Sequence, residues 1–233
     1  MPKNIGFLGK ILFVSKRVLL ILFLSSVFMT LVYRFVPVYF TPLMAIRYMD
    51  GVGETKEKRF ERTWTPIENI SPNMVNAVVA SEDNRFMDHY GFDFEAIAMA
   101  RKMNKKGKKI YGASTISQQT AKNVFLWPSR TWFRKGLECY FTVLIELCWS
   151  KERIMEVYLN VAETGDGLYG AEAAAQCYYK KPASELTKKQ AAMIAACLPA
   201  PRRYNPSNPS SYLRSRQGKI LRLMKNMKPV SFD

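Results

Sequence analysis

One stretch constrains the fold of this chain more than any other. From Val18 to Ile46 a single charged residue, Arg34, interrupts an otherwise uncharged, largely apolar run. A bilayer core of ~30 Å takes about 20 helical residues, and Val18 to Pro37 supplies 20 of them. Lys3, Lys10, Lys16 and Arg17 precede the run, and Tyr33 and Arg34 suit its far interface. The pattern predicts a cytoplasmic N-terminus over 1–17, a membrane anchor over 18–40, and a domain outside the cytoplasm beyond about residue 47. A cleaved signal peptide competes with this reading. The run is longer than an h-region of about 7–15 residues, and Arg34-Phe-Val-Pro is a poor small-residue cleavage site, so an uncleaved anchor is favoured.

The rest of the chain is rich enough in aromatics, with 14 Phe, 12 Tyr and 4 Trp in 233 residues, to bury a core. A domain takes ~100–200 residues, so one domain plus the anchor fits and two catalytic domains do not. Lys and Arg number 35 against 19 Asp and Glu, a net charge of +16, which calls for an anionic partner. A membrane anchor disfavours nucleic acid and leaves lipid headgroups or a phosphorylated substrate. Cys139, Cys148, Cys177 and Cys197 show no metal-ligand spacing. Nine helical residues at about 100° each would put Cys139 and Cys148 on opposite faces. Buried free thiols are favoured, and a Cys177–Cys197 bridge stays open.

Residues 41–63 read as a linker, charged and glycine-bearing from 47 on, before a domain over 64–233. The periodicity there is helical. Ser71-Pro72 opens a helix with Met74, Val75, Val78 and Val79 on one stripe. Further helices are expected over 132–149, from the Ser150 cap to Asn160, over 171–179, from the Thr187/Gln190 capping box to Leu198, and over 213–227. In the last, Leu213, Ile220, Met224 and Met227 share a side, with Arg216, Lys219 and Arg222 elsewhere. The class is mostly α.

Four constellations carry candidate chemistry. Ser81 to Asp93 holds Glu82, Asp83, Asp88 and Asp93 with the only histidine, His89, beside Phe86 and Phe92. It reads equally as a solvated helix end or as a carboxylate held in a partly apolar cleft, the setting of a general base. Gly112 to Asn123 sets small hydroxyl residues at a helix start with Gln118, Gln119 and Lys122 a turn along, either a cap or a cradle for phosphate and sugar hydroxyls. Arg134 and Glu138 sit at i, i+4, commonly an ordinary ion pair; Trp127, Trp132 and Phe133 interleave with Arg130 and Arg134 as core or as a membrane contact. Arg101 to Lys109 carries six cations and no acid, and reads as a solvated, mobile loop.

In order and spacing these motifs resemble the peptidoglycan glycosyltransferases of glycosyltransferase family 51. The residues that carry the resemblance are Glu-Asp-x-x-Phe-x-x-His-x-Gly-x-Asp at 82–93, Gly-Ala-Ser-Thr-Ile-Ser-Gln-Gln-x-x-Lys-Asn at 112–123, Arg-Lys-x-x-Glu at 134–138, Ser-Lys-x-x-Ile-x-x-Val-Tyr-Leu-Asn at 150–160 and Ala-Ala-x-Ile-Ala-Ala-x-Leu-Pro at 191–199. Gln190 departs from the pattern, where the family is expected to carry Glu. One anchor, one domain and no Ser-x-x-Lys nucleophile imply the monofunctional branch of the family.

The resemblance implies a lysozyme-like, two-lobed α domain on the outer face of the inner membrane. It implies polymerisation of lipid II into β-1,4-linked glycan strands, with inversion and release of undecaprenyl pyrophosphate. Glu82 would then be the general base and Glu138 a second essential carboxylate, orienting cations or a divalent ion, Mg²⁺ or Mn²⁺, at the diphosphate. Lys122, Arg134 and Lys135 would favour departure of the diphosphate. Asp83, Phe86, Ser114, Gln118, Gln119 and Asn123 would line the substrate site. The implied partners are lipid II, the growing glycan chain, membrane lipids and other cell-wall synthases. A lytic enzyme of the same fold is the main alternative, but it has no use for phosphate-binding cations. A non-catalytic membrane scaffold is the third reading and leaves the ordered polar motifs unexplained.

Overall fold

The computed structural model describes residues 7–50, 60–107 and 112–232; of Phe7, Leu8 and Lys106 it describes the backbone alone. The chain divides into two units, residues 1–36 and 37–233.

The first unit is one helix, α1 (Phe7–Phe35). Gly9–Phe35, 27 residues, is long and apolar enough to cross a membrane, and its side chains stand exposed, as lipid-facing ones do. This corrects the anchor predicted over 18–40. The helix starts earlier and takes in Lys10, Lys16 and Arg17, and it stops at Phe35 because Pro37 disfavours helical backbone at the residue before it.

The second unit is mostly α, as expected, and consistent with the lysozyme-like frame that the resemblance implies. Residues 42–50, assigned to a linker, form a helix instead: α2 (Pro42–Asp50) buries Leu43 and Met44 and packs on α5 (Ile116–Phe125). The rest of the linker over 51–59 lies outside the described residues. Arg62 follows on a short strand, β1 (Glu61–Arg62), which pairs in parallel with β3 (Leu168–Tyr169); β3 pairs antiparallel with β2 (Glu163–Gly165). The Arg62 guanidinium donates to the carbonyls of Val38 and Tyr39, and its Nε donates to that of Asn160 at 3.3 Å. Burial lowers its pKa to about 10, with Tyr39 opposing, so the arginine stays cationic at neutral pH. The Asn160 side chain accepts from the Thr65 N–H and donates to the Thr65 carbonyl, both at 2.8 Å, as a neighbouring strand would.

The core is built by α3 (Pro72–Glu82), α9 (Lys188–Cys197) and α10 (Ser211–Asn226), packed together, and by α5 between α6 (Trp132–Cys148) and α7 (Lys151–Val161). The predicted caps are in place: Ser71 accepts from the Asn73 N–H, Ser150 from Arg153, and Thr187 forms a capping box with Gln190. Gln190 therefore fills its helix-start role without a charge. α8 (Gly170–Tyr179) completes the domain beside the sheet. The basic stretch read as a loop is helical as far as Lys106, within α4 (Phe94–Lys106), which Asp93 caps through the Ala96 N–H; residues 108–111 lie outside the described set. None of the four cysteines forms a disulfide; Cys197 is fully buried and the other three half-buried.

Candidate active site

Glu82 is the last residue of α3, where the helix ends and its carboxylate is freed from the stripe of apolar side chains behind it. Its side chain keeps only 12% of its surface exposed. Three donors converge on it. Ser81 Oγ lies 2.9 Å from Oε1, Arg216 Nη2 3.4 Å from the same oxygen, and Gln119 Nε2 3.1 Å from Oε2. Arg216 also donates to Ser81 Oγ at 3.1 Å, and the serine proton has the carboxylate at 2.9 Å as its nearer acceptor, with the Ala195 carbonyl at 3.3 Å. Each carboxylate oxygen offers two acceptor sites. Oε1 is therefore saturated, and among the described residues Oε2 keeps one free lone pair. Gln119 is oriented in turn by Tyr158, whose hydroxyl donates to its Oε1 at 3.3 Å. Burial holds the Tyr158 phenol far above its usual pKa, with Glu82 and Asp83 adding to the shift, so it remains a donor.

Two cavities flank this network. Glu82 lines the smaller, about 250 Å³, with Ser114, Asn84 and Asp93. Gln119 and Tyr158 line the larger, about 540 Å³, with Lys122, Asn123, Arg130 and Arg47. The capping box at Thr115 starts α5 so that Gln119 and Lys122, three residues apart, face the same side. Burial pulls the Lys122 ammonium below its usual pKa; Glu138 opposes this, while Arg134, Lys135 and Arg47 add to it. An anion entering the cavity would reverse that cost.

Behind Lys122 lies the third motif. Glu138 is 3% exposed, with Oε2 at 2.6 Å from Arg134 Nη1 and Oε1 bonded to Lys135 Nζ. Both oxygens thus hold a cation, while Lys135 keeps 36% of its side chain exposed and Arg134 Nε is buried without a hydrogen-bond partner. Among the described residues no three metal-ligating side chains gather. A divalent ion shared between one carboxylate and a diphosphate, as the resemblance implies, needs no such cluster.

Three expected substrate contacts face inward. Phe86 is wholly buried, with Lys151 Nζ 4.6 Å from the centre of its ring, because it plugs the loop after α3 into the core. Gln118 spends its amide oxygen on the Thr115 N–H as the return half of the capping box. Asp83 borders the small cavity, but Oδ1 meets His89 Nε2 at 2.9 Å and Oδ2 accepts from the Ile116 N–H at 3.0 Å. It joins the loop to the start of α5, and His89 braces it. Lys151 finishes that brace by donating to the His89 carbonyl at 2.6 Å and pairing with Glu146 at 2.8 Å.

Arg216, Tyr158 and Arg47 were not foreseen as site residues, and Arg130 only as a neighbour of aromatics. For Arg216 a signal exists. It lies three residues after Leu213 and four before Ile220, the two buried positions of α10, so it is a cation on the apolar face rather than on the surface.

Comparison with known proteins agrees with this geometry. The Transglycosylase family model matches residues 50–225. A biosynthetic peptidoglycan transglycosylase of Bacteroides thetaiotaomicron is 54% identical over 215 residues, covering 92% of this chain and 87% of the relative. Proteins of the same description are 52% identical in Bdellovibrio bacteriovorus, over 93% of this chain and 87% of the relative, and 48% identical in Pseudomonas putida, over 93% and 92%. A carboxylate with one open lone pair, set beside a cation-lined cavity, is the equipment of glycosyl transfer, and with these matches the chain belongs to the transglycosylase family.

Proposed function

We propose that this transglycosylase, an enzyme of peptidoglycan synthesis for the cell wall, polymerises lipid II. The observation that carries the reading is the Glu82 carboxylate, on the wall of the smaller cavity and joined by Gln119 to the larger one that Lys122 and Arg130 line. In the reaction, the 4-hydroxyl of an acceptor GlcNAc gives its proton to Glu82 Oε2 as its oxygen attacks C1 of the donor MurNAc from the face opposite the diphosphate. The C1–O4 bond forms with inversion, and the C1–O bond to the diphosphate breaks. The electron pair leaves with undecaprenyl pyrophosphate. Ser81, Arg216 and Gln119 hold the carboxylate aimed before the transfer. Lys122 and Arg130 meet the charge that builds on the leaving group. The buried Glu138 cluster sets the field around Lys122 from behind.

The cations in the first turns of the anchor helix, Lys10, Lys16 and Arg17, orient it with the N-terminus in the cytoplasm and the catalytic domain outside the inner membrane. Trp132 and Phe133, 92% and 72% exposed beside Arg130, have the amphipathic make-up of a contact with membrane lipids, which suits a substrate whose tail stays in the bilayer.

The test uses the full chain in detergent with labelled lipid II, wild type against Glu82→Gln, and products resolved by length. Wild type is expected to build a ladder of glycan chains, and the variant to lose about 10²–10⁴ of the rate. Intact lipid II together with cleavage of preformed glycan strands would overturn the proposal in favour of a lytic enzyme.

A further inference from the structure

The larger cavity carries more positive charge than Lys122 and Arg130 give it. Arg47 lines it as well, from α2, and the family match begins only at residue 50, so this cation comes from a segment outside the matched residues. α2 is seated by Leu43 and Met44, and Arg47 follows Leu43 by one helical turn, which carries its side chain out along the cavity wall. Its Nε is shut off from water without a hydrogen-bond partner. The nearest carboxylate oxygen, Glu163 Oε2, is 3.9 Å away, an ion-pair distance too long for a hydrogen bond. Three cations, Arg47, Lys122 and Arg130, therefore face one carboxylate, Glu163, across the cavity, an excess of two positive charges among the described residues. A diphosphate diester carries two negative charges and an array of acceptor oxygens. It would satisfy the orphaned Nε and balance the excess together.

We propose that Arg47 is a ligand for the diphosphate of the lipid-linked sugar donor, so that α2, the helix six residues beyond the end of the anchor, completes the binding site. The inference rests on the reading of this cavity as the diphosphate site. Glu163 is then a competing anion inside the cavity rather than a partner that Arg47 needs for folding, and the two residues act on binding in opposite directions. Burial raises the Glu163 pKa while Arg47 opposes the shift, in keeping with a carboxylate poorly compensated by its surroundings.

The experiment measures the KM for lipid II and the inhibition constant of geranylgeranyl diphosphate for the full chain in detergent, with Arg47→Gln, Arg47→Lys and Glu163→Gln alongside the wild type and thermal unfolding as a check on folding. Arg47→Gln is expected to raise both constants about five- to tenfold, Arg47→Lys to raise them less, and Glu163→Gln to lower them. If Arg47→Gln matches the wild type, or if it and Glu163→Gln weaken binding alike, Arg47 serves only an ion pair that steadies α2 and the proposal fails alone. If the wild type polymerises lipid II yet the diphosphate does not compete, the cavity is not the diphosphate site, and both the reading and the proposal fall.

Discussion

Replacing Arg216 with glutamine is expected to slow polymerisation about tenfold without weakening the hold on lipid II. Glu82 Oε1 takes one hydrogen bond from Ser81 at 2.9 Å and one from Arg216 at 3.4 Å. With Arg216 gone, Oε1 regains an open lone pair, the carboxylate can turn about its last bond, and the proton-accepting Oε2 is no longer singled out. A hydrogen bond to a charged acceptor contributes ~1.5–3 kcal/mol. The contact here is long, and the arginine side chain is 27% exposed, so the lower end, ~1.5 kcal/mol, applies. That is about a factor of ten in rate. Because the loss concerns the aim of the base and not the cavity, it falls on kcat rather than KM. The assay is initial-rate conversion of labelled lipid II by the full chain, with thermal unfolding to establish that the variant folds, and with Ser81→Ala and the double variant completing a cycle. Both side chains act on one oxygen, so their effects are expected to overlap, with a coupling of about 0.5 kcal/mol or more. Arg216→Lys, a shorter donor, falls between. An unchanged kcat, a loss confined to KM, or effects that simply multiply would refute the reasoning.

Three further outcomes can be checked. Gly91 has φ +82°, and a Cβ there would stand 2.7 Å from Thr142 Cγ2 and 3.0 Å from Glu146 Cγ, so Gly91→Ala is expected to cost ~1–3 kcal/mol in denaturant titration; an unchanged midpoint would count against the conformation of the loop after α3. Lys122 sits below its ordinary value of 10.5 in the folded chain, chiefly through burial, so across the interval below 10.5 the unfolded chain binds more protons and stability rises with pH. Lys122→Met should flatten that rise, and equal slopes for the two proteins would contradict it. Burial pushes the Cys197 thiol up to about 12, with Arg216 opposing, so at pH 8 an alkylating reagent should modify Cys139, Cys148 and Cys177 first, with mass spectrometry reading the order.

What could be read in the sequence was local. The Ser71, Ser150 and Thr187 caps are written within four residues of the backbone they serve, and the structure holds each of them. The boundaries of α2 were not legible, because Leu43 and Met44 continue the apolar run of the anchor without a break, and only their burial against α5 separates them from it. Phe86 and Gln118 stand in the right motifs, but a motif does not say which of its members face a ligand and which hold the loop. Arg216 meets Glu82 across 134 residues of chain, through the packing of α10 on α3, and no spacing rule spans such a distance. The i, i+4 spacing of Arg134 and Glu138 spells out their ion pair, and the resemblance adds a second essential carboxylate; neither tells that Glu138 is 3% exposed.

Arg62 also bears on how the enzyme withstands mechanical tension. A chain held through α1 would carry any pull first into the residues that follow that helix. Force arriving at Val38 and Tyr39 meets two carbonyls gripped by one guanidinium, which is itself tied to the Asn160 carbonyl at the end of α7. The two bonds at Val38 and Tyr39 are strained side by side and must give way together, unlike a zipper that opens one link at a time. Arg62 thus ties the stretch after α1 to the end of α7 before the chain leads on to α3 and Glu82.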